Sequence, residues 1–229
     1  AYEISLGLVG SEMCIRDSVM LATLSILLFV LSVIPQPIYA QEETQVSSIY
    51  YVVYDSESGL DTPTKIASIQ GSMSVPKITM DDQGKIYVIW SQKGEDGLWR
   101  LYYKTSQNGV WSQPVQISNP MPYFTHFDVR WSYHHYNLPQ CIDIVWREDN
   151  GSTCTLYYGD LASGETHVIR TGGHNAFGSV TIERQSTGRI TVVYQNLGAG
   201  KLYSVYSDDN GATWSSPVTC TGFPNAEGS

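Results

Sequence analysis

Ser207-Asp208-Asp209-Asn210-Gly211-Ala212-Thr213-Trp214 is the stretch whose reading decides the fold. Its pattern is Ser-x-Asp-x-Gly-x-Thr-Trp, with strand-forming residues before it and Ser215-Ser216-Pro217-Val218 after it. Asp and Asn side chains hydrogen-bond backbone amides two residues on, and Gly supplies a positive φ, so the segment closes a tight hairpin tip. Thr213 and Trp214 lead into the next strand, where an aromatic ring can cover a sheet face. Such a turn carries no reactive group, so it speaks to architecture more than to chemistry.

The same hairpin recurs along the chain. Ile49-Tyr50-Tyr51 leads to Gly59, Leu101-Tyr102-Tyr103 to Gly109, Leu156-Tyr157-Tyr158 to Gly164, and Leu202-Tyr203-Ser204 to Gly211. The glycines recur at intervals of about fifty residues, the length of a four-stranded repeat. Upstream of the last three hairpins lie Lys85 to Trp90, Cys141 to Trp146 and Arg189 to Tyr194, each rich in β-branched and aromatic residues on both faces. A sheet wetted on one side would alternate, so these strands are expected to be covered on both. A further strand precedes each one, over 76–80, 127–133 and 178–184.

At Ser207, Asp209, Gly211, Thr213 and Trp214 the chain resembles the Asp-box (BNR) repeat of sialidase-like β-propellers, and all five pattern positions match. Thr105-Ser106-Gln107-Asn108-Gly109-Val110-Trp111 is a degenerate copy lacking the acid. The resemblance implies an all-β fold: a partial β-propeller of about three and a half four-stranded blades, six-bladed when complete. The expected layout is a linker over 41–48, then a half-blade over 49–68. Blades follow over 76–118, 127–171 and 178–221, and a truncated linker over 222–229. No helix is expected in the propeller.

Residues 1–18 resemble sequencing-adapter read-through and are set aside as non-native. Residues 19–40 read as a signal peptide, an apolar run closed by Pro35, Pro37 and a small residue at Ala40. An uncleaved anchor is the alternative. The expected setting is secreted or at the cell surface, soluble after cleavage.

The formal net charge of −9 argues against nucleic acid, which requires clustered Lys and Arg, and against anionic membranes. Beyond the leader, Cys141, Cys154 and Cys220 are an odd set and read as buried thiols rather than a disulfide framework. Cys141 and Cys154 belong at opposite ends of neighbouring strands. Asn150-Gly151-Ser152 is a formal glycosylation sequon.

In the resembled topology, ligands meet the face opposite the Asp-box tips. Trp99, Tyr123, Phe124, His126, His174, Asn175 and Phe177 fall on or beside the loops of that face. An apolar ring platform with directional polar groups is what sugar binding uses, and Trp99, Tyr123, His126, His174 and Asn175 are the chosen candidates. The expected partner is an extracellular glycan or a surface protein.

The alternative is an exo-sialidase-type glycoside hydrolase with catalytic residues in further blades. The family's Phe/Tyr-Arg-Ile-Pro motif is missing from this sequence. The weak catalytic candidates are Arg130 and Asp128, which share a strand face and read more simply as a salt bridge. No cofactor and no metal are expected. His134 and His135 are adjacent on a strand and would point to opposite faces. The acids at Glu95-Asp96 and Glu148-Asp149 read as hydrated turns, with calcium as the alternative.

Overall fold

A computed structural model describes residues 46–132 and 141–221. The leader, the terminal linker and the His134-His135 pair lie outside the described residues. Within them the protein is all-β, antiparallel throughout and without a helix.

The sheets follow one another along the chain. A two-stranded sheet pairs β1 (Val46–Tyr51) with β4 (Thr64–Gln70), enclosing a small hairpin of β2 (Tyr54–Asp55) and β3 (Gly59–Leu60). The next sheet runs β5 (Lys77–Met80), β6 (Ile86–Lys93), β7 (Trp99–Gln107) and β8 (Val110–Trp111), and β9 (Val115–Gln116) also pairs with β7. A third is ordered β10 (Phe127–Ser132), β11 (Cys141–Asp149), β12 (Thr153–Asp160) and β13 (Glu165–Gly173). The last is ordered β14 (Phe177–Arg184), β15 (Ile190–Asn196), β16 (Lys201–Ser207) and β17 (Val218–Thr219). The first strands lie side by side, β10 between β5 and β14.

Hydrophobic layers separate successive sheets. Ile49 and Ile66 meet Val88 and Trp90 in the first layer. Tyr87, Ile89 and Leu101 meet Phe127, Val129, Ile142, Ile144 and Trp146 in the second. Val145, Leu156 and Tyr158 meet Val180, Ile182, Val192, Tyr194 and Val205 in the third. Because successive side chains of a strand point to opposite faces, β6 feeds Val88 and Trp90 into one layer and Tyr87 and Ile89 into the next. This is why the central strands look apolar on both faces. Each fully buried aliphatic or aromatic side chain contributes about 1.5–3 kcal/mol, and truncating Leu156 to Ala would cost about 2–5 kcal/mol.

β11 is buried along its whole length. One face carries Ile142, Ile144 and Trp146. The other carries Val145 together with Asp143, Arg147 and Asp149, which are also buried. Charges are tolerated there because each finds an ionic partner.

The hairpin tips repeat in detail. At the last one, Ser207 Oγ donates to Asp209 Oδ1 at 2.7 Å and accepts from Gly211 N at 2.8 Å. Thr213 N donates to the same Asp209 oxygen at 2.8 Å, and Trp214 Nε1 donates to Gly211 O at 3.0 Å. Asn210 and Gly211 adopt φ of 56° and 88°, and Asn108 and Gly109 match them at 50° and 79°. Trp214 packs edge-on against Tyr158 of the preceding sheet, and Trp111 does the same against Tyr51. Each tip therefore fastens its sheet to the one before it.

Cys141 and Cys154 are buried thiols, set at opposite ends of the β11–β12 pair. Cys220 is free but only half-buried, because β17 ends at Thr219 and leaves it beside the sheet edge.

Candidate functional site

The site lies at the end of the sheets away from the Ser207–Trp214 tip. It is assembled by the segment 117–126, the end of β11 and the 174–176 connection into β14.

Segment 117–126 is fixed from two sides. Trp99 N donates to Met121 O at 2.7 Å and Met121 N returns the bond at 2.9 Å. On the β11 side, Glu148 accepts from Asn119 N and Asn119 Nδ2, both at 3.0 Å, and Arg147 N donates to His126 O at 2.9 Å. Held this way, the segment lines up rings edge to face: Trp99 on Phe124 and Phe124 on His126, each with centroids 5.2 Å apart. Phe124 remains 37% exposed. His126 has a depressed pKa, because burial disfavours its charged form and Arg147 adds repulsion.

Tyr123 turns the other way and lies 4.9 Å from the ring of His174. It is 43% exposed. His174 Nδ1 is 2.9 Å from Asp149 Oδ1, and its Nε2 is 2.8 Å from Asn175 Nδ2. Asn175 sits in the left-handed region at φ 56°, which Asn tolerates, and its amide donates to Asp149 Oδ2 at 2.8 Å. Arg147 Nη2 donates to Asp149 Oδ2 at 3.1 Å and to Asn175 Oδ1 at 3.3 Å. Burial alone would raise the pKa of Asp149, but His174, the amides of Gly151 and Asn175, and Arg147 together pull it down to about 2.

The structure thus brings the five binding candidates into two touching groups, Trp99 with His126 by way of Phe124, and Tyr123 with His174 and Asn175. Arg147 joins them, bonded to the His126 carbonyl and to Asn175. The sequence reading missed Arg147 and treated Asp149 as a hydrated acid. The available signal was the run Trp146-Arg147-Glu148-Asp149, which puts charge at the end of a strand otherwise apolar on both faces. Glu148 and Asp149 face opposite ways, Glu148 towards Asn119 and Asp149 towards His174. Asp96 is held by Arg100 and Leu98 N, which lower its pKa to about 2. Among the described residues no three His, Cys, Asp or Glu side chains are grouped to hold a metal ion.

Asp128 and Arg130 lie elsewhere, on β10. Asp128 is buried and accepts from Lys77 Nζ and from Thr181 Oγ1, both at 2.6 Å, so it ties β10 to β5 and β14. Burial works to raise its pKa, yet these two hydrogen bonds and the charges of Lys77 and Arg130 leave it lowered. Arg130 stands 3.7 Å from both Asp128 and Glu183. Arg184 is directed to the opposite end of the sheet, into Asp143.

No family model and no curated protein matches the chain. Among solved structures the chain is similar to the Hadza microbial sialidase Hz136, at 12% identity and a TM-score of 0.45 over 73% of this chain. It is also similar to a protein of unknown function from Dyadobacter fermentans, at 12% identity and a TM-score of 0.47 over 75% of this chain. The chain spans 39% of the first protein's length and 58% of the second's.

Proposed function

We propose that this chain is part of a secreted sialidase-like β-propeller with Asp-box tips, and that its other face binds an extracellular glycan. The propeller reading is supported by consecutive antiparallel sheets stacked face to face with adjacent first strands. The Asp-box reading is supported by the Ser207–Asp209–Thr213 hydrogen bonds and the packing of Trp214 on Tyr158.

The observation that carries the binding function is the row of exposed Tyr123, Phe124, His174 and Asn175 with half-buried Trp99 and His126, anchored from beneath by buried Arg147 and Asp149. Rings in sequence offer stacking area to the apolar face of a sugar, while His174 and Asn175 offer polar edges to hydroxyls. Binding is favoured over hydrolysis because the buried arginines are each neutralised by a carboxylate, Arg147 by Asp149 and Arg184 by Asp143. Neither is presented to a substrate acid.

The test is a glycan array probed with the full chain and with Trp99→Ala. Glycan hits that weaken about thirtyfold or more in the variant are expected, the size of one interface hot spot. An empty array, or hits indifferent to Trp99, would overturn the reading.

A further inference from the structure

The orientation of the Asn175 amide is dictated by its neighbours. The Arg147 guanidinium can only donate, so the atom 3.3 Å from its Nη2 must be the Asn175 oxygen. That turns Asn175 Nδ2 towards His174, and at 2.8 Å His174 Nε2 must accept. The imidazole proton therefore sits on Nδ1, where it donates to Asp149 Oδ1 at 2.9 Å. Asp149 closes the circuit by accepting from Arg147. Each contact around the ring Arg147–Asn175–His174–Asp149 pairs a donor with an acceptor only while His174 is neutral.

We propose that this ring is a proton-sensitive latch on the ligand face, closed with neutral His174 and opened when that imidazole gains a proton. A proton on Nε2 would set two donors against each other at the Asn175 contact. Flipping the Asn175 amide does not help, because its Nδ2 would then meet the donors of Arg147. Protonated His174 keeps Asp149, now as an ion pair, so the break falls at Asn175.

The groups facing the imidazole are Asp149 and Arg147 from β11, Tyr123 from segment 117–126 and Asn175 from its own connection. His126, beside the same guanidinium, has its pKa lowered by burial and by that charge. Opening shifts the Asn175 edge and the surface under Tyr123, and so alters the site itself. Imidazole is the side chain that changes charge between about pH 5 and 8, so the latch divides a neutral setting from an acidic one. Its effect on ligand rests on the glycan-binding reading above.

The experiment has two arms, both on the full chain. Nitrogen-15 NMR with labelled histidine and asparagine is run without ligand from pH 7.5 to 5.0. The expected result is His174 as the Nδ1–H tautomer at pH 7.5, with the Asn175 side-chain amide shifting in step as the imidazole protonates and no shift in His174→Gln. An Nε2–H tautomer, or an Asn175 amide unmoved while His174 titrates, would overturn the latch. In the second arm, affinity for a glycan found on the array should fall about tenfold at pH 5.5, the equivalent of one lost hydrogen bond to a charged group. His174→Gln should abolish that pH dependence. Wild-type affinity equal at both pH values would overturn the gating. An array without hits counts against the proposed function, and the ligand-free NMR still decides the latch.

Discussion

Asp143 and Arg184 form a two-point ion pair between β11 and β14, with Nε donating to Oδ2 at 2.7 Å and Nη2 donating to Oδ1 at 2.6 Å. Both side chains are almost wholly enclosed, at 0% and 2% exposure. The Tyr158 hydroxyl donates to Asp143 at 2.8 Å and accepts from Arg184 at the same distance. Arg184 Nη1 also donates to Asn210 at the hairpin tip, at 2.8 Å. Burial and the Asp143 charge raise the Tyr158 pKa, so the phenol stays a neutral donor.

Removing one member leaves its partner charged and buried. Asp143→Ala is expected to destabilise the protein by about 3–5 kcal/mol. Replacing both, as in Asp143→Leu with Arg184→Met, should cost less than the two single changes added together. Urea unfolding of Asp143→Leu, Arg184→Met and the double variant measures this. Additive losses would show that the pair does not act as a unit.

Gly211 and Gly109 hold equivalent turn positions with similar positive φ, 88° and 79°, yet they should respond differently to the same substitution. A Cβ on Gly109 meets nothing within 4 Å, so Gly109→Ala pays only the left-handed backbone cost of about 1–2 kcal/mol. A Cβ on Gly211 would fall 2.3 Å from the Tyr158 ring, which is locked between Asp143, Arg184 and Trp214. Gly211→Ala should therefore cost about 3 kcal/mol or more. Equal losses in denaturant melts would mean that the tip does not press on the preceding sheet.

The contrast between these glycines marks what was legible in the sequence. The turn at Asn210-Gly211 was visible because backbone conformation is written locally, in residue types that tolerate positive φ. So was the all-β pattern, since the runs of β6, β11 and β15 are short, rich in β-branched and aromatic residues and bounded by turn residues. The press of Gly211 on Tyr158 was not visible, because those residues are more than fifty positions apart and meet only through stacking. The candidate site divides the same way. Its aromatics stand out on or beside loops, whereas Arg147 and Asp149 acquire their meaning from Asn175 and His174, supplied by a later connection. Asp128 paired on paper with Arg130 two residues on, while its short contacts are Lys77 and Thr181 on the flanking sheets.

Asp149 sets the acid limit of the site. Its folded pKa of about 2 lies below the ordinary aspartate value of about 3.9 in an unfolded chain. A carboxylate with a depressed folded pKa adds stability in full above the unfolded value and loses it as pH falls through the folded one. The melting temperature should therefore drop between about pH 4 and 2 as this contribution disappears. Asp149→Asn should melt lower at pH 7 and show a shallower fall across that window. Parallel pH curves for the two proteins would remove Asp149 from the account. This window lies well below the range of about pH 5 to 8 in which an imidazole changes charge, so the two transitions are read separately.

The thiols give a check on sheet packing that requires no ligand. Burial pushes the Cys141 thiol up to about 11 and raises that of Cys154 as well. The reactive species is the thiolate, so a raised pKa and enclosure both slow alkylation. Cys141 lies at the start of β11 and Cys154 near the start of β12, both in the sheet interior, while Cys220 is half-buried beyond β17. Native protein treated with iodoacetamide at pH 8 should label at Cys220 first. Cys141 and Cys154 should label only on a timescale set by opening of the sheets, and quickly in urea. Peptide mass spectrometry over a time course distinguishes the sites. Prompt native labelling at Cys154 would mean that the layer between the last two sheets, where Cys154 packs with Phe177 and Tyr194, is open in solution.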